Sequence, residues 1–200
     1  MISAQAAFDC LSITDRLERI VRGTTHVELH LFAYLGCLLS LYRGRMVADW
    51  SYGFAGTKNG SPYSREVEDA FRQMASTGWF VERDGLHRLS DGGRSELNEL
   101  REISQNTDRD QFLAGACSTV LTMPIGQVRA ALAREPDLKA ASIAESARPL
   151  LDETSCELLH DQFSSLSKAV GVEVADLLIP AVVWLTCLVL EASPAQGTAA

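Results

Sequence analysis

The order of turn residues and apolar residues between positions 52 and 100 constrains the fold of this chain more than any other feature. Ser64 suits the start of a helix, whose apolar face repeats at helical spacing through Val67, Phe71 and Met74. Gly78 ends that helix, and two short apolar stretches then flank Asp84-Gly85, a dipeptide typical of two-residue hairpin turns. A further helical pattern follows the hairpin. The segment therefore contains a helix, a hairpin and a second helix, in that order.

This order predicts a winged-helix module within residues 27–104, with the hairpin as its wing. Residues 1–26 are interpreted as an N-terminal helical arm, residues 105–192 as a helical bundle domain, and residues 193–200 as a flexible tail. The expected fold class is mainly α with a small β-hairpin wing, in which a winged-helix domain is followed by a helical C-terminal domain.

Apolar spacing also predicts helices on both sides of this module. One helix runs from about Thr14 to Arg22. The next, from about Val27 to Tyr42, is apolar nearly all round, which is typical of a core helix or of a helix covered by a partner. Shorter helices are expected near residues 110–122, 125–134, 142–148 and 154–170, and a strongly apolar last helix near 174–190.

The two most apolar helices supply the candidate protein interface. Large exposed apolar surfaces are rare in monomers, so such a surface indicates a binding partner. The candidate partner-binding residues are Leu35, Leu38, Leu39, Leu178, Val182, Trp184, Leu185 and Leu188. The apolar run of the last helix is shorter than the roughly 20 residues that span a membrane, so no membrane contact is expected.

The charge of the chain limits its use as a DNA-binding protein. The formal net charge is −8, whereas neutralising phosphates needs a basic face. Residues 43–101 hold equal numbers of basic and acidic residues, so any nucleic-acid contact comes from this segment. The candidate contacts are Arg43, Arg45, Lys58, Arg72, Arg83 and Arg88. The helix after Ser64 carries three carboxylates, which makes the wing a better phosphate contact than that helix.

Two patterns resemble sites of chemistry and are better explained by structural roles. His26 and His30 stand four residues apart on one helical face, but no third metal ligand is evident. The glycine-rich stretch 53–60 departs from the phosphate-loop template GxxxxGK[ST]. We therefore expect a protein that is not an enzyme and that holds neither a cofactor nor a metal.

The five cysteines are widely spaced and mostly lie in apolar runs. This usage is typical of reduced, buried thiols. The sequence contains no CxxC pair, so a cysteine zinc site is not expected. The first residues lack the basic and apolar regions of a signal peptide. The expected location is cytoplasmic.

The turn and cap residues also resemble a known family. They are Tyr52-x-Phe54, Gly60-x-Pro62-Tyr63-Ser64, Gly78 and Leu89-Ser90-x-x-Gly93. Over roughly residues 27–103 they resemble the middle components of bacterial three-component ABC-ATPase systems, which are winged-helix accessory subunits. The closest resemblance is to the small accessory subunit of Lamassu-type anti-phage defence. The usual Gly-Pro is Gly60-Ser-Pro62 here, with one extra residue.

The resemblance implies partners and a role. The partners would be an SMC-like or ABC-type ATPase subunit and an effector subunit such as a nuclease. DNA would be reached mainly through the ATPase, and this chain would bridge or regulate the complex without catalysis. Two alternatives remain open: a homodimeric winged-helix transcriptional regulator, paired through its C-terminal helices, and an unrecognised enzyme.

Overall fold

The computed structural model describes residues 3–171 and 176–191. The helices are α1 (Ala4–Val21), α2 (His26–Tyr42), α3 (Arg65–Ser76), α4 (Asp91–Arg101), α5 (Gln105–Ser118), α6 (Ile125–Leu132), α7 (Pro136–Ile143), α8 (Glu153–Val170) and α9 (Leu178–Glu191). The strands are β1 (Ala55–Gly56), β2 (Pro62–Tyr63), β3 (Phe80–Arg83), β4 (Leu86–Leu89) and β5 (Arg148–Pro149). The expectation of a mainly helical chain with a small β-hairpin is confirmed, and the structure adds a second small antiparallel sheet of β2, β1 and β5.

Helix α2 is the centre of the molecule. Every residue from Leu29 to Ser40 is buried, and α2 packs against α1, α5 and α8. A capping box begins the helix, because the Thr25 side chain accepts from Glu28 N while the Glu28 carboxylate accepts from Thr25 N. The prediction of a core helix near residues 27–42 is confirmed.

Helix α1 is longer than predicted, because it begins at Ala4 rather than near Thr14. Its first half contains polar residues that interrupt the apolar pattern, and that interruption concealed the helix. In the structure Asp9, Ser12, Thr14 and Asp15 are buried where α1 packs against other helices. These neighbours are α2, α3, α4 and α5, together with strand β4.

The predicted hairpin is confirmed. Strands β3 and β4 pair from Phe80 opposite Leu89 to Arg83 opposite Leu86. Asp84 and Gly85 both have positive φ, at 56° and 75°, as a type I′ turn requires. An isolated antiparallel bridge between Thr24 and His87 adds one residue of a third strand to the hairpin. This bridge joins the hairpin to the turn between α1 and α2.

The second half of the chain departs from its predicted helix boundaries. Residues 142–148 were expected to be helical, but α7 ends at Ile143 and the chain then forms β5. Strand β5 pairs with β1, which also pairs with β2, so these three short strands form a small antiparallel sheet. Helix α9 begins at Leu178. The predicted start of that helix near residue 174 and the predicted tail lie outside the described residues.

One hydrophobic cluster extends from Ala6 in α1 to Leu188 in α9. Helix α5 lies beyond the predicted domain boundary at residue 104, yet it packs against both α1 and α2. Gly115 of α5 allows the close approach of the residue that precedes α9, since a Cβ there would lie 2.5 Å from Leu177 Cβ. The division into domains stays a prediction, and the core contacts cross its boundaries. Within the described ranges, the helices are too short or too polar to cross a membrane.

Glu135 caps α7 from a buried position. Its carboxylate accepts a hydrogen bond from Leu138 N at 3.0 Å, and the side chain is nearly inaccessible to solvent. Burial raises the pKa of Glu135 to about 7, and the nearby Asp137 carboxylate adds to the increase. The Tyr34 hydroxyl of α2 is buried, and no described residue forms a hydrogen bond with it. Its own pKa is raised by burial and by Glu135.

This cap predicts a loss of stability at neutral pH. The folded state binds a proton at Glu135 that the unfolded chain releases near pH 4.5. Stability from the protonated cap is therefore complete below pH 4.5 and is lost as the pH rises towards 7. We expect the free energy of unfolding to fall by roughly 3 kcal/mol over this interval relative to Glu135→Gln, at about 1.4 kcal/mol per pKa unit. Urea denaturation of both proteins at several pH values measures this difference. Free energies of unfolding that change equally with pH in the two proteins would contradict the prediction.

Candidate functional site

A buried ion pair joins α1 to α5. Arg109 Nε donates to Asp9 Oδ1 at 2.5 Å, and Nη2 donates to Oδ2 at 2.6 Å. Arg109 Nη1 donates to the Trp50 carbonyl oxygen at 2.9 Å. The Tyr52 hydroxyl also donates to Asp9 Oδ2. We call Asp9, Trp50, Tyr52 and Arg109 the Arg109 cluster.

The aromatic members of the Arg109 cluster enclose its charge. The guanidinium carbon lies 3.8 Å from the centroid of the Trp50 ring and 5.3 Å from that of Tyr52. Burial opposes the charge on Arg109, but Asp9 outweighs it and raises the Arg109 pKa. Burial, and then the Asp9 carboxylate, raises the pKa of Tyr52 well above its ordinary value. The cluster is therefore an ion pair with Tyr52 as a neutral hydrogen-bond donor.

A cleft of about 340 Å³ lies beside the Arg109 cluster. Arg45 and Asp108 are on its wall and form an exposed ion pair. Its two serines make local hydrogen bonds: Ser40 donates to Cys37 O, and Ser51 donates to Asp49 O. The described residues that line the cleft include neither histidine nor cysteine. The cleft offers hydrogen-bonding and charged groups, among them the carboxylates of Asp49 and Asp108.

The structure distributes the predicted nucleic-acid contacts over separate elements. Arg83 and Arg88 lie on the hairpin, and Arg72 lies on the neighbouring helix α3. The hairpin pairs with Thr24, just before the N-terminal end of α2, whereas Arg43 and Arg45 follow its C-terminal end. Helix α2 is roughly 25 Å long at 1.5 Å per residue. Lys58 lies in the connection between β1 and β2. The six residues do not form one basic patch, and their contact with nucleic acid stays a prediction.

Helix α3 neutralises its own exposed arginines. Arg72 Nε lies 2.7 Å from a Glu68 oxygen, and Arg65 Nε lies 3.6 Å from an Asp69 oxygen. Both are pairs between residues four apart on the helix. A phosphate approaching this face would meet carboxylates beside each arginine. That the hairpin is the better phosphate contact stays a prediction.

His30 connects α2 to the start of α3. Ser64 N donates to His30 Nδ1 at 3.2 Å, so that nitrogen is an acceptor and Nε2 carries the proton. Nε2 lies 3.4 Å from Glu68 Oε2. Burial lowers the pKa of His30, although Glu68 opposes this effect. In contrast, His26 is exposed and stacks on Phe71. The two histidines therefore have separate structural contacts.

Most residues of the predicted partner interface lie in the core of the chain itself. Leu35, Leu38 and Leu39 of α2 and Trp184, Leu185 and Leu188 of α9 are buried within the chain's own core. Leu178 and Val182 are only half-buried. The helical pattern identified apolar faces correctly, but other helices of the same chain cover them. The large exposed apolar residues of α9 are instead Ile179, Val183 and Leu190.

Sequence reasoning missed the Arg109 cluster, because Asp9 and Arg109 are 100 residues apart. It also missed a second polar network on the same helix. Asp15 contacts Arg19, Arg94 and Arg101, while Asp110 contacts Arg16 and Arg101. The only available signal was the presence of carboxylates at otherwise apolar positions of the first helix.

Comparisons with protein-family models, with curated proteins and with solved structures found no match to this chain.

The Arg109 cluster predicts a large cost for removing one charge. Asp9→Ala leaves the guanidinium buried without its partner, so we expect the free energy of unfolding to fall by about 3–5 kcal/mol. Asp108→Ala removes the exposed partner of Arg45 and is expected to cost less than about 1 kcal/mol. Urea denaturation of both variants gives the comparison. Equal losses would show that the Asp9 pair contributes no more than a surface pair.

His30 predicts a pH dependence opposite to that of Glu135. Its folded-state pKa lies below the ordinary value of 6.5, so its contribution to stability is complete above that pH. The contribution is lost on acidification through the lowered pKa, because protonation of Nδ1 breaks the bond from Ser64 N. We expect the stability difference between the unchanged chain and His30→Asn to shrink below pH 6.5. Urea denaturation at stepped pH measures it, and a difference independent of pH contradicts it.

Proposed function

We propose that this chain is a non-enzymatic winged-helix accessory subunit of an SMC-like or ABC-type ATPase complex in anti-phage defence. In that complex it bridges or regulates the ATPase and an effector subunit. The observation that carries the proposal is the arrangement around the hairpin. Helices α2 and α3 both pack on α1. The β3–β4 hairpin pairs with Thr24, and α4 follows the hairpin in the chain. A winged-helix module has these parts in this order.

The charge of α3 supports protein docking over DNA reading. In a helix-turn-helix protein the second helix contacts base edges in the major groove. Here the corresponding helix is α3, whose arginines are paired with Glu68 and Asp69. The net charge of −8 adds to the repulsion from phosphates. DNA contact in our proposal therefore comes mainly through the ATPase.

The use of the buried polar groups supports a role without catalysis. The Arg109 guanidinium donates hydrogen bonds to Asp9 and to the Trp50 carbonyl group. Both ring nitrogens of His30 have partners: Nδ1 accepts from Ser64 N, and Nε2 contacts the Glu68 carboxylate. These groups join helices to one another, which is a structural task.

A co-expression experiment tests the proposal. The tagged chain is produced together with the proteins encoded beside it, and the eluted proteins are identified by mass spectrometry. We expect a coiled-coil ATPase to elute in a fixed ratio to the chain. Arg72→Ala should leave this ratio unchanged, because Arg72 already pairs with Glu68 in the free chain.

DNA binding by the isolated chain provides the opposing outcome. We expect affinity for a mixed-sequence duplex weaker than the roughly 10⁻⁴–10⁻⁶ M typical of non-specific DNA-binding proteins at physiological salt. Fluorescence anisotropy over a range of salt concentrations measures it. Tight, salt-dependent binding to a palindromic operator, together with no ATPase in the elution, would overturn the proposal in favour of a transcriptional regulator.

A further inference from the structure

A pocket of about 380 Å³ lies between helix α8 and the connection that follows α2. The Tyr42 ring lies edge-on to Phe163, with 5.9 Å between the ring centroids, and this contact joins the end of α2 to α8. Three of the seven residues that line the pocket carry a sulfur or nitrogen atom that can bind a metal ion. These are Met46 of the connection and Cys156 and His160 of α8.

Cys156 and His160 lie on one face of α8. Residues four apart on a helix have Cβ atoms about 5–6 Å from each other, so both side chains can reach one metal ion. Zinc-binding helices use the same spacing for two of their ligands. The Cys156 thiol is half-buried and donates to Leu151 O at 3.3 Å. The His160 ring is exposed, and no described residue forms a hydrogen bond with it.

Met46 supplies the third donor atom from a distant part of the sequence. The residue is 68% exposed, and its side chain has three rotatable bonds and a polarisable thioether. The sulfur atom can therefore adjust its position to an ion held by α8. The apolar side chains of Leu41 and Val47 line the same pocket. Such apolar surroundings limit the access of water to a bound metal ion.

Nearby carboxylates favour a cation at the Cys156 sulfur. Burial raises the pKa of the Cys156 thiol, and the carboxylates of Asp152 and Asp137 raise it further. The negative charges that disfavour a free thiolate stabilise a positive ion at the same sulfur atom. A metal cation bound to the thiolate therefore gains from both carboxylates.

Two arginines oppose a cation in this region, and each has a carboxylate nearby. Arg45 lines the pocket and forms an ion pair with Asp108. Arg148 lies close enough to Asp152 to interact with its carboxylate. Asp137 forms no ion pair with a described residue. The positive charges are therefore partly neutralised, and the Asp137 carboxylate is not.

The set of donor atoms discriminates between metals. Within the described ranges, no group of three His, Cys, Asp or Glu residues is placed to hold a metal ion, whereas a zinc site needs at least three such ligands. The third donor here is a thioether. Thiolate and thioether sulfur prefer soft cations, and Cu(I) is the first-row metal ion that they select.

We propose that Met46, Cys156 and His160 bind one Cu(I) ion in the pocket between α8 and the connection after α2. Cys156 Sγ releases its proton to solvent as its bond to copper forms. The Met46 sulfur and a His160 ring nitrogen each donate a lone pair, and the copper stays Cu(I). This inference goes beyond the proposed function and does not depend on it. Copper binding by the isolated chain and elution of an ATPase are separate readouts.

Anaerobic competition with the Cu(I) chelator bicinchoninate, performed on the full chain, tests the site. We expect a single high-affinity ion per chain. Met46→Leu, Cys156→Ser and His160→Ala should each lower the affinity by at least roughly tenfold, a loss typical even of residues that only orient a metal ligand. X-ray absorption of the loaded protein should show both sulfur and nitrogen donors, and His160→Ala should remove the nitrogen.

Matched variants separate this site from an isolated thiol. Cys187→Ser removes an exposed cysteine of α9 and His26→Ala removes an exposed histidine, so both should bind Cu(I) as tightly as the unchanged chain. Circular dichroism should show equal helix content for Met46→Leu and His160→Ala, because both side chains are exposed.

Three results would overturn the proposal. The first is a chain that takes no Cu(I) from bicinchoninate. The second is an affinity that depends on Cys156 but not on Met46 or His160, which describes a single thiol. The third is binding of Zn²⁺ at least as tight as that of Cu(I), because the thioether would then not select the metal.

Discussion

The buried ion pair between Asp9 and Arg109 is the contact on which the arrangement of the other elements depends. It fixes the first helix to α5, and its bond to the Trp50 carbonyl fixes the connection after α2 to both. A charge pair in a low-dielectric core is tolerated only when its geometry and remaining hydrogen bonds are complete. The nearby Tyr52 hydroxyl and the Trp50 ring supply the remainder of that shell. Any rearrangement of α1 relative to α5 would have to expose or separate these charges.

Local patterns in the sequence predicted the elements whose shape is decided locally. The Asp84-Gly85 turn and the even apolarity of residues 29–40 were sufficient for the hairpin and for α2. The first half of α1 escaped prediction, since Asp9, Ser12 and Asp15 look like surface residues until their distant partners are known. Strand β5 escaped for the same reason, because its two residues are ordered by pairing with β1 more than ninety positions earlier.

The candidate sites show the same division between local and distant information. Helical periodicity correctly identified apolar faces on α2 and α9, but it does not reveal which face the chain itself covers. Leu35 and Leu185 are therefore core residues, whereas Ile179 on the opposite side of α9 is exposed. Counting charges likewise indicated a neutral middle segment. The finer fact that Arg72 and Arg65 are each paired within α3 required the side-chain positions.

The bridge between Thr24 and His87 links the hairpin to the core. Thr24 and His87 exchange two backbone hydrogen bonds, at 3.0 Å and 2.8 Å. The preceding residue, Gly23, approaches so closely that a Cβ there would lie 2.9 Å from Leu86 Cβ. Thr25 then caps α2 directly. Only Thr24 and Thr25 separate the hairpin contact from the buried helix α2. A displacement of the hairpin would therefore have to break the two bonds to Thr24 or move the start of α2 with it.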